Sequence, residues 1–368
     1  MDNATQQQPA PGVCLISPLP PPYGGMAIQA EKLAVLLREQ GCQVHMVRTN
    51  AEPGQGGMLG RFPGVRSLFN LVRFLLDLNR ALGRSDVVYF LTGFFNFYFW
   101  VTFPALLLIF FRRKPVVLSA RGGNAAAFFR RYGKLVGPVL RHVDAVTTPS
   151  GFLREVFRDA FGIDAQVIPN IADLDQFEFR ARSGFQPRLL VTRNLEEIYG
   201  IDTVLRAFVR IRGRYPAARL GIAGGGSLRQ ELEHLAAELG VNDVVTFYGP
   251  VSHEQIQRLY AEYDIYLNAS RVDNLPGSLL EAFVSGLPVV STRAGGIPHM
   301  VEDGVTGMLA DIDDDESLAG SVFRIIEDPE LGRSLAQAAY AESQKYGRKN
   351  VAPQLMRVLS HHAQAKAS

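Results

Sequence analysis

The strongest chemical signal in the sequence is a pair of carboxylates, Asp273 and Glu281, separated by the seven residues Asn274-Leu275-Pro276-Gly277-Ser278-Leu279-Leu280. The Pro-Gly step between them predicts a turn that opens a helix near Gly277. Asp273 then lies in the loop, and Glu281 lies one turn into the helix and points another way. The N–H groups of Gly277, Ser278 and Leu279 would sit unpaired at the positive end of that helix, where they suit phosphate oxygens. A glutamate there can accept hydrogen bonds from ribose hydroxyls. The alternative is two unrelated acids at a helix start, and spacing alone leaves both readings open.

Three other places could meet an anion. Arg193 closes the strand-like run RLLVTR. At a strand's carboxyl end, facing a cleft between domains, it can neutralise a diphosphate; otherwise it is a solvated surface charge. Gly224-Gly225-Gly226-Ser227 follows a strand-like run and opens a helix, either as a phosphate contact or as a tight turn. Gly24 and Gly25 end the loop Pro20-Pro21-Pro22-Tyr23-Gly24-Gly25 before the first helix. There the backbone can approach a ligand, or simply turn. Neither loop is a G-x-G-x-x-G or Walker pattern. His142, His361 and His362 are isolated and read as structural or exposed. The acidic run at 311–316 reads as a solvated loop with a helix N-cap, so no metal site is expected.

The elements that must position these residues alternate along the chain. Strand-like runs at 12–17, 43–47, 86–91, 115–120, 144–150 and 166–170 are separated by helical stretches, the first from Met26 to Glu39. A second cycle runs through 188–193, 218–226, 243–249, 264–270 and 287–292. Repeated strand and helix argue an α/β protein with two doubly wound parallel-sheet domains, Rossmann-like and facing one another. The expected boundaries are 1–175 for a basic first domain, 176–345 for the second and 346–368 for a helix packing back on the first. The polar, irregular stretch 171–187 is the expected linker. Ligands of such sheets lie beyond the carboxyl ends of the strands, where the residues above fall.

A chain of 368 residues, 47% hydrophobic and 20% charged, fits two or three globular domains and excludes disordered, collagen-like and coiled-coil classes. Cys14 and Cys42 are too few for a disulfide framework and read as buried, reduced thiols. The net charge of +2 hides an asymmetry: residues 55–145, from Arg61 and Arg66 to Arg141, carry thirteen Lys/Arg against three acids, +10, which leaves −8 elsewhere. Such a segment invites an anionic partner. The N-terminus has no secretory pattern, so a cytoplasmic protein is expected. Val87–Phe111 is twenty-five residues without a formal charge, followed by Arg112-Arg113-Lys114, as a membrane span would be. Thr92, Gly93 and Asn96 divide it, and Pro104 would kink a single helix. It therefore reads as a strand and an apolar helix of an α/β unit, whose Phe- and Leu-rich outer face can rest on a membrane surface.

Taken together, Arg193, Tyr199-Gly200-Ile201-Asp202, IAGGGSL, FYGPV and the run from SRVDNLPGSLLEAF to GVTGML resemble the glycosyltransferase family 4 group, which has the GT-B fold. The resemblance covers nearly all of 166–330. It is looser at Gly24-Gly25, Ser150 and Pro169-Asn170. It implies a metal-independent transferase that moves a sugar from a nucleotide sugar (UDP-, GDP- or ADP-) with retention, and needs no further cofactor. Asp273 and Glu281 resemble the family's E-x₇-E pair, with Glu281 on the ribose and Asp273 near the donor sugar. The amides of Gly277, Ser278 and Leu279, together with Gly225, would contact the diphosphate. Arg193 resembles the diphosphate arginine, and Phe247–Val251, including Tyr248, Gly249 and Val251, the segment against the base. Three departures stand out: Asp273 is one methylene shorter than glutamate, Tyr199 replaces a lysine, and Arg121-Gly122-Gly123-Asn124 occupies the place of a histidine. Arg121, Gly122 and Asn124 are expected on the acceptor side. Expected partners are the nucleotide sugar, a glycan or lipid-linked acceptor and a peripheral contact with the inner face of a membrane, with no nucleic acid. The rival functions are a sugar-nucleotide epimerase on this fold and a non-catalytic, membrane-associated binding protein.

Overall fold

The computed structural model describes residues 10–21, 24–50 and 63–364. Residues 1–9, Pro22 and Tyr23 of the first loop, Arg61 and the side chain of Arg66 lie outside what is described. The chain divides into two compact units, one of residues up to Ile171 plus 348 onward, the other Ala172–Gly347.

The first unit holds β1 (Gly12–Ser17), α1 (Gly25–Glu39), β2 (Gln43–Arg48), α2 (Pro63–Leu82), β3 (Val87–Thr92), α3 (Phe103–Phe111), β4 (Val116–Ala120), α4 (Ala125–Leu140), β5 (Ala145–Thr148), α5 (Gly151–Phe161) and β6 (Gln166–Val167). All six strands are parallel, in the order β2-β1-β3-β4-β5-β6. Every residue of β3 and β4 is buried, as helices on both faces require. Only β1 to β2 steps in the opposite direction. Right-handed crossovers therefore put α1 on one face and α2, α3, α4 and α5 on the other. The core follows this division: Cys14, Val88, Phe90 and Leu118 pack with α2–α5, whereas Val13, Leu15, Tyr89 and Val117 pack with α1.

Pro104 does not kink a helix. It sits near the start of α3, directly after a π-helical turn, Tyr98–Thr102, whose altered hydrogen-bond ladder accommodates the missing N–H. No described helix is long and apolar enough to cross a membrane. Both cysteines are buried and unpaired, and burial pushes the Cys14 thiol up to about 12.

The second unit holds β7 (Arg188–Val191), α6 (Ile201–Arg214), β8 (Arg219–Ala223), α7 (Arg229–Glu238), β9 (Val245–Gly249), α8 (His253–Glu262), β10 (Ile265–Asn268), α9 (Gly277–Val284), β11 (Val289–Thr292), β12 (Met308–Ala310), α10 (Asp315–Glu327) and α11 (Pro329–Ser343). Its sheet is parallel, in the order β12-β11-β10-β7-β8-β9. The strand order reverses between β7 and β10, and the crevice outside the carboxyl ends of those two strands is where such sheets take ligands. Asp314, within the acidic run, caps α10 by accepting the Ser317 N–H at 2.9 Å. The final helix, α12 (Arg348–Gln364), belongs to the first unit and packs on α1, β3 and β4 through Val351, Leu355 and Leu359.

The stretch expected to be a linker is instead integral to the second unit. Phe185 is buried in its core, and Arg182 is buried with it. The Arg182 guanidinium donates to the carbonyls of Tyr260 (3.0 Å) and Tyr263 (2.8 Å) at the end of α8, and of Ser285 (3.2 Å) and Gly286 (2.9 Å) after α9. Asp264 balances the charge at 3.3 Å. Burial lowers the Arg182 pKa from its ordinary value, and Asp264 opposes that. A fork with five donors can satisfy several orphan carbonyls at once, so Arg182 fastens α8 to α9. Arg182→Leu would leave these buried carbonyls without their donor and Asp264 with Arg188, at 2.7 Å, as its remaining cation. Urea denaturation should show a loss of about 3–5 kcal/mol; a loss under about 1 kcal/mol would contradict this role.

Candidate active site

The loops leaving β7 and β10 bring Arg193 and Asp273 together at the reversal point. Their side chains are 11% and 14% exposed and form an ion pair. Arg193 also donates to the Ser278 hydroxyl, on the first turn of α9, at 3.3 Å. Its guanidinium lies over the Tyr199 ring, 4.1 Å from the centroid. The Nε of Arg193 is buried without a hydrogen-bond partner among the described residues. This is a cation stacked on one face, paired along one edge and set beside a helix N-terminus. Asp273 is held in turn by the Asn274 N–H (2.9 Å) and the Ser270 hydroxyl (3.3 Å).

Helix α9 starts at Gly277 behind Pro276, with no side chain capping it. The Leu279 N–H donates to the Pro276 carbonyl at 3.2 Å, so it is not one of the open amides the sequence suggested. Gly277, which is exposed, and Ser278, which is buried, remain at the positive end of the helix dipole. Glu281, one turn on, is half-buried and accepts from the Tyr260 hydroxyl at 3.0 Å. That hydroxyl also lies 3.1 Å from the Ser278 carbonyl and 2.7 Å from the Thr192 hydroxyl. Burial pushes the Tyr260 pKa well up, and the Glu281 charge adds to the effect. Tyr260 is therefore a proton donor to Glu281, and fixes that carboxylate relative to Ser278 and to the Arg193 loop. Nothing in the sequence around Tyr260 singles it out.

The Gly224–Gly226 loop is explained by backbone packing. Gly224 has φ +148°, and a Cβ there would lie 2.1 Å from the Arg193 carbonyl oxygen; one on Gly226 would lie 2.3 Å from the Leu195 carbonyl oxygen. The Gly225 carbonyl accepts the Leu195 N–H at 2.9 Å, and its Cα faces Pro250. These glycines let the Arg193 loop lie flat on its neighbour. The same device recurs at Gly295 and Gly296, whose missing Cβ atoms would meet the carbonyl oxygens of Asp273 and Asn274 at 2.1 and 2.0 Å. At the end of β9, Tyr248 is 40% exposed and shares a 2.9 Å hydrogen bond with Tyr263, while Gly249 adopts φ +73° and accepts the Gly224 N–H. Val251 packs against the cluster containing Leu279 and Tyr260.

The remaining predicted residues lie in the first unit. Gly24 is the N-cap of α1, and a Cβ on Gly24 or Gly25 would meet nothing within 4 Å among the described residues. The Arg121 guanidinium is buried against the Ser119 hydroxyl and the Asn170 amide oxygen. Gly122 has φ +117°, and Asn124 caps α4 by position without a side-chain bond.

Two family models match this chain. One, described as glycosyl transferases group 1, matches residues 175–342, and the other, glycosyltransferase family 4, matches residues 23–176. The chain belongs to glycosyltransferase family 4. A GDP-mannose-dependent alpha-(1-6)-phosphatidylinositol monomannoside mannosyltransferase of Mycolicibacterium smegmatis is 31% identical over 252 residues, covering 60% of this chain and 66% of that protein. A D-inositol 3-phosphate glycosyltransferase of Streptomyces griseus is 31% identical over 180 residues, covering 46% of this chain and 38% of the other. The chain thus spans less than two thirds of the length of these relatives. Among solved structures, a sucrose-phosphate synthase from Thermosynechococcus elongatus superposes with a TM-score of 0.79 at 19% identity, covering 97% of this chain and 100% of that one. Anabaena HepE, in complex with UDP-glucose, gives 0.73 at 18% identity, covering 95% and 100%. Both likenesses show the GT-B fold of this family 4 chain.

The loop packing is testable without any ligand. Gly224→Ala should lower the thermal midpoint by the equivalent of about 2 kcal/mol or more, because the new methyl meets backbone at a positive φ. Gly213→Ala, in α6 with open space around it, should gain about 0.5–1 kcal/mol. Equal effects at the two sites would contradict the packing argument.

Proposed function

We propose that this chain is a retaining, metal-independent glycosyltransferase that binds a nucleotide sugar at the carboxyl ends of β7 and β10. The observation carrying this reading is the Arg193 guanidinium, held by Tyr199 and Asp273 beside the uncapped first turn of α9. A diphosphate there would exchange the Asp273 contact for its own oxygens and gain the Gly277 and Ser278 amides. Glu281, oriented by Tyr260, would accept from the ribose hydroxyls. Tyr248, Gly249 and Val251 would border the base, and Gly225 the phosphates. Asp273, released from Arg193, would face the donor sugar. In the first unit, Arg121, Gly122 and Asn124 would take the acceptor.

In the reaction, the bond from the anomeric carbon to the phosphate oxygen breaks, and its electron pair stays on the diphosphate. The acceptor oxygen forms the new bond on the same face and gives its proton to the departing phosphate. Arg193 and the helix amides stabilise the charge that develops on the leaving group. They supply that stabilisation without a divalent ion, so chelators should leave the rate unchanged. The name of the Mycolicibacterium relative, which acts on a phosphatidylinositol mannoside, supports a glycan or lipid-linked acceptor. HepE, solved with UDP-glucose, supports the donor class.

A panel of UDP-, GDP- and ADP-sugars should contain one that stabilises the fold by about 2.7 kcal/mol at a hundred times its Kd. Arg193→Ala should abolish that shift, and Glu281→Gln should weaken the donor about ten- to a hundredfold. A folded Arg193→Ala protein with an unchanged shift would overturn the assignment.

Tyr199 stands where the family resemblance leads one to expect a lysine. Its ring holds the guanidinium by cation–π attraction, an effect of about 0.5–2 kcal/mol. Tyr199→Phe should keep donor affinity, whereas Tyr199→Ala should lower it roughly three- to thirtyfold in titration calorimetry. Equal losses in the two variants would place the role in the hydroxyl instead.

A further inference from the structure

Helices α2, α3, α4 and α5 cover one face of the first sheet. Folding requires their inward faces to be apolar, yet the outward faces of α2 and α3 are apolar as well. Leu68, Phe69, Val72 and Leu76 recur at helical spacing along α2. Trp100, Phe103, Leu107 and Phe111 do so along the π-helical turn and α3. These eight make up nearly half of the seventeen exposed large apolar side chains among the described residues, with Phe111 83% and Trp100 67% exposed. Helices α2 and α3 pack on each other, so the two stripes are neighbours. Helix α4 is joined to them through the Phe99 and Tyr132 rings, 5.1 Å apart, and adds exposed Leu135.

The charge around these stripes is predominantly positive. Residues 67–141 carry eleven Lys/Arg and two Asp. Of the acids, Asp77 lies between Arg73 and Arg80, and Asp86 accepts the Gly12 N–H. Of the cations, Arg121 is buried. Arg112, Arg113, Arg130, Lys134 and Arg141 have no acidic partner among the described residues. A groove of about 1210 Å³ between α4 and α5, rimmed by Arg130, Lys134 and Arg141, opens beside them; Asp159, on its α5 side, lies 3.8 Å from Arg158.

We propose that this face of the first unit docks on an anionic phospholipid bilayer, the two apolar stripes entering the headgroup region and the cations meeting lipid phosphates. Apolar side chains alone would suit any hydrophobic partner. The unpaired cations after α3 and on α4 are what select an anionic surface, where each basic residue adds about 1 kcal/mol. An aromatic residue among them suits the boundary between headgroups and acyl chains. The contact lies on the surface, because no described helix is both long and apolar enough to cross a membrane. This inference uses none of the donor-site residues.

Trp100 is the chain's single tryptophan, so its emission reports on the contact directly. The full chain would be titrated with vesicles of phosphatidylglycerol and phosphatidylcholine in equal parts, and with phosphatidylcholine alone. Trp100 emission should move to the blue, lose quenching by acrylamide and gain quenching by brominated acyl chains on the anionic vesicles. By co-sedimentation, Arg112→Gln with Arg113→Gln should bind roughly thirtyfold more weakly. Trp100→Ser with Phe111→Ser should bind roughly a hundredfold more weakly. Both variants should melt at the parent temperature and keep the nucleotide-sugar shift. Absence of vesicle binding, equal binding to phosphatidylcholine alone, or binding with unchanged Trp100 emission would each overturn the proposal. So would lipid-free self-association that Trp100→Ser with Phe111→Ser abolishes, since the face would then serve a second copy. Vesicle binding without any nucleotide-sugar shift would sink the donor reading and leave this one standing.

Discussion

The second unit is organised around a nearly buried cation. A guanidinium at 11% exposure loses most of its hydration, and that loss must be offset locally. Three groups do so for Arg193: a carboxylate, a hydroxyl and an aromatic face. None is close to it in sequence except Tyr199. Asp273 and Ser278 come from the far side of the strand-order reversal, so the pair can form only if the loops after β7 and β10 lie against each other. A position at which they touch, Gly200 at the start of α6, is a glycine because a Cβ there would lie 2.1 Å from the Ala269 carbonyl oxygen. The ion pair and the glycine contact are thus one constraint seen from two sides.

That constraint extends outward through α9. Eight residues make a helix that is not stable in isolation. Its position comes from the sheet beneath it, from the Tyr260 hydroxyl on its polar side and from Arg182 at its carboxyl end. Arg182 and Tyr260 both act on α8 and α9 together, Arg182 through main-chain carbonyls and Tyr260 through Ser278 and Glu281. The two helices therefore behave as a bracket for the carboxylate at 281. Its orientation is set by buried hydroxyls, whose protons are held fast because ionising them inside the core is costly.

Much of this was legible in the sequence, for physical reasons. Parallel strands covered on both faces read as continuous apolar runs, so β1, β3, β4, β7 and β10 stood out. The rule that ligands lie beyond strand carboxyl ends then isolated Arg193, Asp273 and the Gly277 turn. Contacts between distant residues were not legible. Arg182 reaches partners 78 to 104 residues away, and such pairing imprints no local period. Its polar neighbours made the segment look like a linker. The hydroxyl of Tyr260 was hidden for the same reason, since a tyrosine on a helix reads as core. Gly224 and Gly226 left a phosphate contact and a tight turn both open, because glycine reports that something approaches closely without saying what it is.

The apolar stretch around α3 shows a different ambiguity. A hydropathy window adds both faces of a helix, so a short helix buried inside and unpartnered outside gives the same signal as a membrane span. The division into β3, a π-helical turn and α3 resolves that signal: Ala105, Leu106 and Ile109 fill the core, while Trp100, Phe103, Leu107 and Phe111 face outward. Packing on the sheet accounts for the first set only. Charged or polar side chains at the outer positions would leave the core contacts unchanged, as they do on most helices that cover sheets. The outer stripe is therefore surplus to folding, and in water it is a liability. Its position beside unpaired cations, instead of the mixed charges found over the second unit, is what ties the surplus to an anionic apolar boundary.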